Sequence, residues 1–460
     1  MWRQVREPPF PAEWSGAIRQ KNWPGGKADV RIAIVGSGIA GLGAAWLLTK
    51  RGHAVTLFEA NASLGGHTAT VDVTLDGQTF PVDTGFLVFN DRTYPRLIAL
   101  FDELGVASVA SEMSFSCRVD RHRLEWAGTN FLSLFAQPAN ALRPSFWRML
   151  ADISRFNRTA TNMDERGRVW SVTLGEYLTA ANYSVPFRDW YLLPMAAAIW
   201  SAPRKDILEF PLPTFVRFCR NHGLLQVTDR PQWRTVQGGG RVYVEKIAAQ
   251  LTDVRVGTPV RRVVRTHVGV EVDTAARSSE AFDHIVLACH SDQALALLAD
   301  PSSHEQHLLS AVRYQPNRVV LHTDAALLPR ARRAWSAWNY LAADDSAGQR
   351  PVAVSYLINK LQPLPCTTPV IVTLNPPVEP DPARVLQEFE YSHPLLDGAA
   401  LAAQRGIAQM QGQRHTWYAG AWLGYGFHED GLASAHAVVE GIARREFSSD
   451  PASLQMRVAA

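Results

Sequence analysis

Residues Ile32–Trp46 read IAIVGSGIAGLGAAW, three glycines spaced GxGxxG between a branched apolar run and a helix-forming run. Val30–Val35 predicts a short buried strand that ends at the first glycine. Gly36 then permits the tight turn, Gly38 lets backbone approach a pyrophosphate, and Gly41 lets a helix pack closely on the strand. Ser37, Ile39 and Ala40 complete the turn, whose helix start offers unpaired N–H groups and a partial positive charge to phosphates. Ala54–Glu59 (AVTLFE) predicts the next strand, ending in an acid that can accept hydrogen bonds from ribose hydroxyls. Strand, glycine turn, helix, strand and acid together predict an ADP-containing dinucleotide, and Glu59 disfavours one with a 2′-phosphate.

After Glu59 the chain does not enter a third βα repeat. Gly65-Gly66, an alternating segment Thr70–Thr74 and the pair Asp76-Gly77 predict a hairpin reaching Asp83-Thr84-Gly85. From 91 to 235 helical, aromatic-rich stretches dominate, and a glycine turn then feeds a helix within Val236–Leu251. Strand-like pieces return to residue 288; residues 301–404 mix strands with loops rich in Pro and Trp. Near the end, Leu432, Ala435, Val438, Val439 and Ile442 share one helical face. The expectation is an α/β chain (α+β overall) with two discontinuous domains. A Rossmann-like nucleotide domain collects 30–90, 236–300 and 405–446; 91–235 and 301–404 form a mixed substrate domain. Residues 1–29 are an arm and 447–460 a tail.

At 460 residues, 47% apolar, 19% charged and net charge +3, the composition supports two domains and no nucleic-acid partner. Cys117, Cys219, Cys289 and Cys366 form no CxxC pair, which speaks against a metal site or disulfide framework and for the cytoplasm. No apolar run is long enough to span a membrane, but Trp2, Trp14 and Trp23 beside Arg3, Arg6 and Arg19 leave peripheral contact with the inner membrane open. The densest basic cluster, Arg330, Arg332 and Arg333, reads as a solvated face, with an anionic head-group contact as the alternative.

Three stretches resemble the flavin-containing amine oxidase family and the FAD oxidoreductases around it, among them protoporphyrinogen oxidase and phytoene desaturase. They are VGSGIAGLGAAWLLTKRGHAVTLFEANASLGGHTAT, Asp83-Thr84-Gly85 and YAGAWLGYGFHEDGLASA. The resemblance implies FAD as the cofactor and a nucleotide domain of the glutathione-reductase type. It adds Ala60, Gly65, Gly66, His67, Asp83, Thr84, Gly85 and Val260 to the cofactor site, and from the last stretch Gly420, Ala421, Glu429, Asp430, Gly431 and Leu432. Departures stand at Ser63 and His67, where the family usually has arginine, and at Ala421, where it has an acid. DTGFLVFN, AAIWSAP, ACHSDQAL and WSAWNYL are similar to a bacterial subgroup of predicted NAD/FAD-binding dehydrogenases. Members of that subgroup are encoded beside enzymes that methylate or cyclopropanate fatty acyl chains, which implies a lipid substrate and a lipid-methyltransferase partner.

Hydride abstraction by a flavoprotein needs a C–H bond held over the cofactor and water kept out. Phe86, Phe89, Tyr94, Trp200, Trp338, Tyr356 and Trp422 are the candidate walls, with core packing the plainer role for each. Amine oxidases hold a lysine near the flavin; here Arg318 or His322 occupies the corresponding stretch, and His428 is the candidate proton shuttle. The expected activity is an FAD-dependent oxidoreductase acting on an apolar, fatty acyl substrate, as a desaturase or dehydrogenase. A small-amine oxidase and a non-catalytic flavin-binding partner of a lipid methyltransferase are the alternatives.

Overall fold

Strand β1 (Arg31–Val35) and strand β2 (Ala54–Phe58) are each exposed only at their first residue, which is the pattern of a parallel sheet covered on both faces. The computed structural model describes residues 30–163, 172–226, 229–277, 279–342 and 351–449. The arm 1–29 and residues 450–460 of the tail lie outside them. Between the two strands runs helix α1 (Ile39–Lys50), and beyond β2 lies Asp253–Arg255. On the other side of β1 come His284–Leu287 and Thr416–Tyr418, every neighbouring pair parallel. In chain order the strands lie third, second, first, fourth, fifth, so the direction of winding reverses beside β1. A ligand crevice opens at the carboxyl ends of the strands at such a reversal. An antiparallel sheet of Val260–Arg265, Val270–Thr274 and Glu280–Phe282 is inserted between the third and fourth strands.

The second large sheet has seven strands in the order Val385–Leu395, Arg313–His322, Ile371–Leu374, Ala353–Leu357, Trp338–Ala342, Phe115–Val119 and Leu124–Ala127. All pairs are antiparallel except Trp338–Ala342 with Phe115–Val119. Its inner residues Val319, Leu321, Val354 and Val372 share one core with Phe146, Phe156, Phe187 and Phe215 of the helical stretches. The register lines up Phe115, Trp338 and Tyr356 across three strands, and the Trp338 and Tyr356 rings meet edge to face at 5.0 Å.

Two segments sit on the opposite side from the one their sequence position suggests, and a third crosses the expected boundary between residues 404 and 405. Helix α2 (Pro95–Leu104), read as substrate domain, carries Leu97, Leu100, Phe101 and Leu104 on one stripe. That stripe completes the core of Ile32, Leu42 and Val438. The helix Gly398–Met410, whose first seven residues were expected in the substrate domain, packs throughout by Ala400, Ile407 and Met410 against Ala33, Phe58 and Leu287. Conversely, the hairpin Thr70–Leu75 and Gln78–Asp83 turns Val73, Phe80 and Val82 into the core of the seven-stranded sheet. In each case the apolar stripe found the facing surface that buries it, whatever the chain position. The last helix, His428–Ser449, runs past the expected boundary at 446. Among the described residues no helix is long and apolar enough to cross a membrane.

Candidate functional site

The glycine turn forms a cradle because its own polar groups are already committed. Ser37 donates through both its N–H (2.9 Å) and its Oγ (2.6 Å) to one oxygen of Glu59, whose other oxygen accepts from the Asn61 N–H at 2.9 Å. Gly36 has φ +100°, and a Cβ there would come within 2.7 Å of the Ala288 carbonyl oxygen. Among the described residues, a Cβ on Gly38 would meet no atom within 4 Å. Gly65-Gly66 closes the other side: the Gly65 N–H donates to Ser37, and a Cβ on Gly66 would approach the Gly38 Cα at 3.1 Å. Like every helix start, α1 has first N–H groups without intrahelical acceptors, and Ile39 and Ala40 border the open space.

That space belongs to a cavity of about 1310 Å³ running from the turn to the seven-stranded sheet. Gly36, Ser37, Gly38, Glu59, Ala60, Gly65, Gly66 and His67 line its first part, with Thr84, Gly85 and Val260 beside them. Gly420, Ala421, Trp422 and His428 line it from the opposite end of the chain. The two ends are packed together: a Cβ on Gly431 would meet Ile39 Cγ2 at 2.8 Å, and one on Gly43 would meet Leu432 Cδ1 at 2.7 Å. Of the expected walls, Phe86, Tyr94, Trp338, Tyr356 and Trp422 face the cavity.

Ten expected site residues are placed elsewhere. Gly41 serves the packing of helix on turn, and Gly431 and Leu432 serve the packing of helix on helix. Asp83 lies behind the wall, accepting from Gly240 N, Thr70 Oγ1 and Gln362 Nε2. Glu429 turns away to cap α2, accepting from the N–H groups of Arg96 and Leu97, while Asp430 accepts from Phe427 N at the start of its own helix. Burial pushes the Asp430 carboxyl up to about 7. Phe89 packs edge to face on Phe101, and Trp200 against Phe210 and Phe218, both inside cores. Arg318 is held by Glu379 and Glu388 on the outer face of its strand.

His322 is fully buried on that same face. Its Nδ1 accepts from Asp324 N, so Nε2 carries the proton and donates to Thr373 Oγ1 at 2.8 Å. Burial holds the ring down to about 4, against 6.5 in the unfolded chain. Because the unfolded chain takes the proton first, this stabilisation is complete above about pH 6.5 and is lost as pH falls toward 4. At pH 5 the loss amounts to about 2 kcal/mol. His322→Gln, which keeps one acceptor and one donor, is expected to move the acid-unfolding midpoint to lower pH in a circular-dichroism titration; an unmoved midpoint excludes the effect.

Three further cavity residues, His290, Tyr391 and His393, escaped prediction from the sequence and gather round the expected His67. His67 lies 5.3 Å from His393 and 6.3 Å from His290 between ring centroids, with Tyr391 at 5.2 Å. Burial first, then repulsion from His290, holds His67 to about 4; burial, then repulsion from His67 and His290, holds His393 to about 3. The His67 Nε2 is buried without a partner among the described residues. Alternation in EFEYSHPL, which puts Phe389, Tyr391 and His393 on one face, was the available signal. His428 stacks on Phe86 at 3.6 Å and places Nε2 at 2.9 Å from Thr68 Oγ1 and 3.1 Å from the Tyr243 hydroxyl. Burial keeps it neutral, at about 3.

A family model described as flavin containing amine oxidoreductase matches residues 39–330. A flavin-containing monoamine oxidase of Mycobacterium tuberculosis is 28% identical over 290 residues, 59% of each chain. A carotenoid phi-ring synthase of Streptomyces griseus is 28% identical over 290 residues, 58% of this chain and 54% of that one. The chain thus spans about three fifths of the length of the curated relatives it matches. Among solved structures, a fatty acid isomerase from P. acnes superposes with TM-score 0.65 at 16% identity, over 91% of this chain and 99% of that one. Cyclohexylamine oxidase from Brevibacterium oxydans does so at 0.64 and 17%, over 91% and 99%, and both share the mixed α/β fold. FAD, the cofactor the family implies, fits what is present: open space over Gly38, Glu59 at the strand end, and an unpartnered His67 nitrogen along one continuous cavity. The chain belongs to the flavin containing amine oxidoreductase family.

Proposed function

We propose that the chain is an FAD-dependent oxidoreductase that takes a hydride from a C–H bond of an apolar substrate, a fatty acyl chain. The character of the cavity beyond Thr84–Gly85 carries this reading. Its walls there are Met113, Phe115, Tyr191, Met195, Ile199, Trp338 and Tyr356. Of the acids lining the cavity, Asp292 and Glu390 are exposed to solvent and Glu59 is committed to Ser37 and Asn61. A charged polyamine would need a carboxylate inside; an acyl chain needs the apolar wall that is there.

FAD, when bound, supplies the two-electron sink. The chain holds the substrate and keeps water out. Glu59 would accept from ribose hydroxyls, and the start of α1 would hold the diphosphate. Trp338 and Tyr356, locked edge to face by the sheet register, present a rigid surface against which an acyl chain lies. His428 is held neutral between Thr68 and Tyr243, so it positions by hydrogen bonding rather than serving as a standing acid. The inserted three-stranded sheet supports the glutathione-reductase-type reading of the nucleotide domain. A lipid methyltransferase as working partner belongs to the same proposal.

Oxidation of a small uncharged amine is the second reading, favoured by the likeness to the monoamine oxidase. Anaerobic mixing of the yellow protein with unsaturated phospholipid, free fatty acid or a monoamine separates the two. Bleaching of the flavin absorbance by the acyl lipids and not by the amine is expected; bleaching by the amine alone overturns the first reading.

A further inference from the structure

The helical turns after strand Leu124–Ala127 leave large apolar side chains in water. Phe131 is 72% exposed, Leu132 68%, Leu142 86% and Trp147 50%. They form one patch, not scattered singles: Phe131 meets Phe135 at 4.9 Å, and Phe135 meets Trp147 at 5.6 Å. The Trp147 indole N–H donates to the carbonyl of Ala141, next to Leu142. Contiguous exposed apolar surface rimmed by polar groups marks an interaction site.

The rim is cationic. Arg143 donates to the carbonyls of His122 and Arg123, which sets the exposed Arg121 and Arg123 against one side. The turn Arg332–Ala334 packs on the helix Phe131–Leu134 and sets the exposed Arg332 and Arg333 against the other. Among the described residues the nearby acids are engaged: Asp120 by Arg118 and Arg330, and the buried Glu125 by the N–H groups of Arg330 and Ala331. The patch also adjoins the cavity. Gly128 and Thr129 are exposed and line the cavity, and Asn130 right after them caps the Phe131 helix.

We propose that this face docks on an anionic lipid bilayer, with Phe131, Leu132, Leu142 and Trp147 entering the interface and the arginines on the head groups, so that an acyl chain reaches the cavity past Gly128 and Thr129. The choice of a bilayer rather than a protein comes from the charge of the rim and rests on the reading of the cavity as an acyl site. Aromatic and leucine side chains with surrounding arginine are the composition of interfacial anchors.

Sedimentation of the full flavin-bound chain with phosphatidylglycerol or phosphatidylcholine vesicles tests the proposal. Binding to phosphatidylglycerol, released by about 0.5 M salt, is expected. The double variant Phe131→Glu, Leu142→Glu is expected to lower binding about tenfold or more, and Arg332→Glu with Arg333→Glu about fivefold per residue. Should the glutamate variant lose its flavin or fold, Leu142→Cys carrying an environment-sensitive dye gives a second reading: a blue shift on adding the vesicles supports docking, and unshifted emission overturns it. Undiminished binding by the folded glutamate variant, loss of binding only on deleting residues 1–29, or variants that alter self-association alone each overturn the proposal. No turnover is read, so failure of the acyl-substrate reading shows in flavin bleaching and failure of docking in sedimentation.

Discussion

Gly41→Ala is expected to yield a chain that no longer holds its flavin. A Cβ at this position would lie 1.8 Å from the Gly36 carbonyl oxygen and 3.2 Å from the Ala288 Cβ. Neither neighbour can retreat: Gly36 N–H is bonded to the Phe58 carbonyl, and Ala288 N–H to the Val35 carbonyl. The helix must lift off the turn, which displaces Gly38 and the first N–H groups of α1 that border the cavity. Overpacking against fixed backbone costs about 3 kcal/mol, so both stability and cofactor are affected. The control is Gly38→Ala, whose methyl meets no atom of the described residues within 4 Å and intrudes only on the cavity. That variant is expected to keep its unfolding midpoint while its flavin affinity falls. Absorbance at flavin wavelengths and urea unfolding read both outcomes; a fully yellow Gly41→Ala chain with unchanged stability refutes the packing account.

Asp83→Ala is expected to loosen the joint between the two halves of the molecule. The Asp83 carboxylate accepts from Gly240 N at 2.9 Å on the nucleotide side and from Gln362 Nε2 at 2.7 Å on the other. Its own N–H donates to Gln362 Oε1 at 3.0 Å. Burial pushes the carboxyl up to about 6, above which it accepts as a carboxylate. Truncation leaves the Gly240 N–H and the Gln362 amide buried without acceptors, at a cost of about 3 kcal/mol. Asp83→Asn keeps the volume but turns an N–H toward existing donors, and an intermediate loss is expected. Urea denaturation read by fluorescence decides; a midpoint equal to that of the parent chain removes Asp83 from the joint.

The parts of the site that were legible are those whose chemistry is local. Gly36, Gly38 and Glu59 lie on one turn and two adjacent strands, so spacing alone brought them to the cavity together. The C-terminal loop was legible as a stretch but not residue by residue. One step along a helix rotates a side chain by about 100°, and that rotation separates His428, in the cavity, from Glu429, on α2. Arg318 and His322 fell to the other period: they share the face of their strand opposite Val319 and Leu321, which belong to the core. Trp200 and Trp338 looked alike in sequence, yet one is packed among phenylalanines and the other is aligned with Phe115 by a parallel pairing between strands remote in the chain.

Sequence order was enough to bring strand, glycine turn, helix, second strand and Glu59 together, because each of these contacts is between near neighbours in the chain. Tertiary structure alone decided which aromatic residues wall the cavity, where α2 and the Thr70–Asp83 hairpin belong, and that His67, His290 and His393 meet. Those outcomes depend on sheet register and on which surface buries an apolar stripe, and both are set by partners far along the chain.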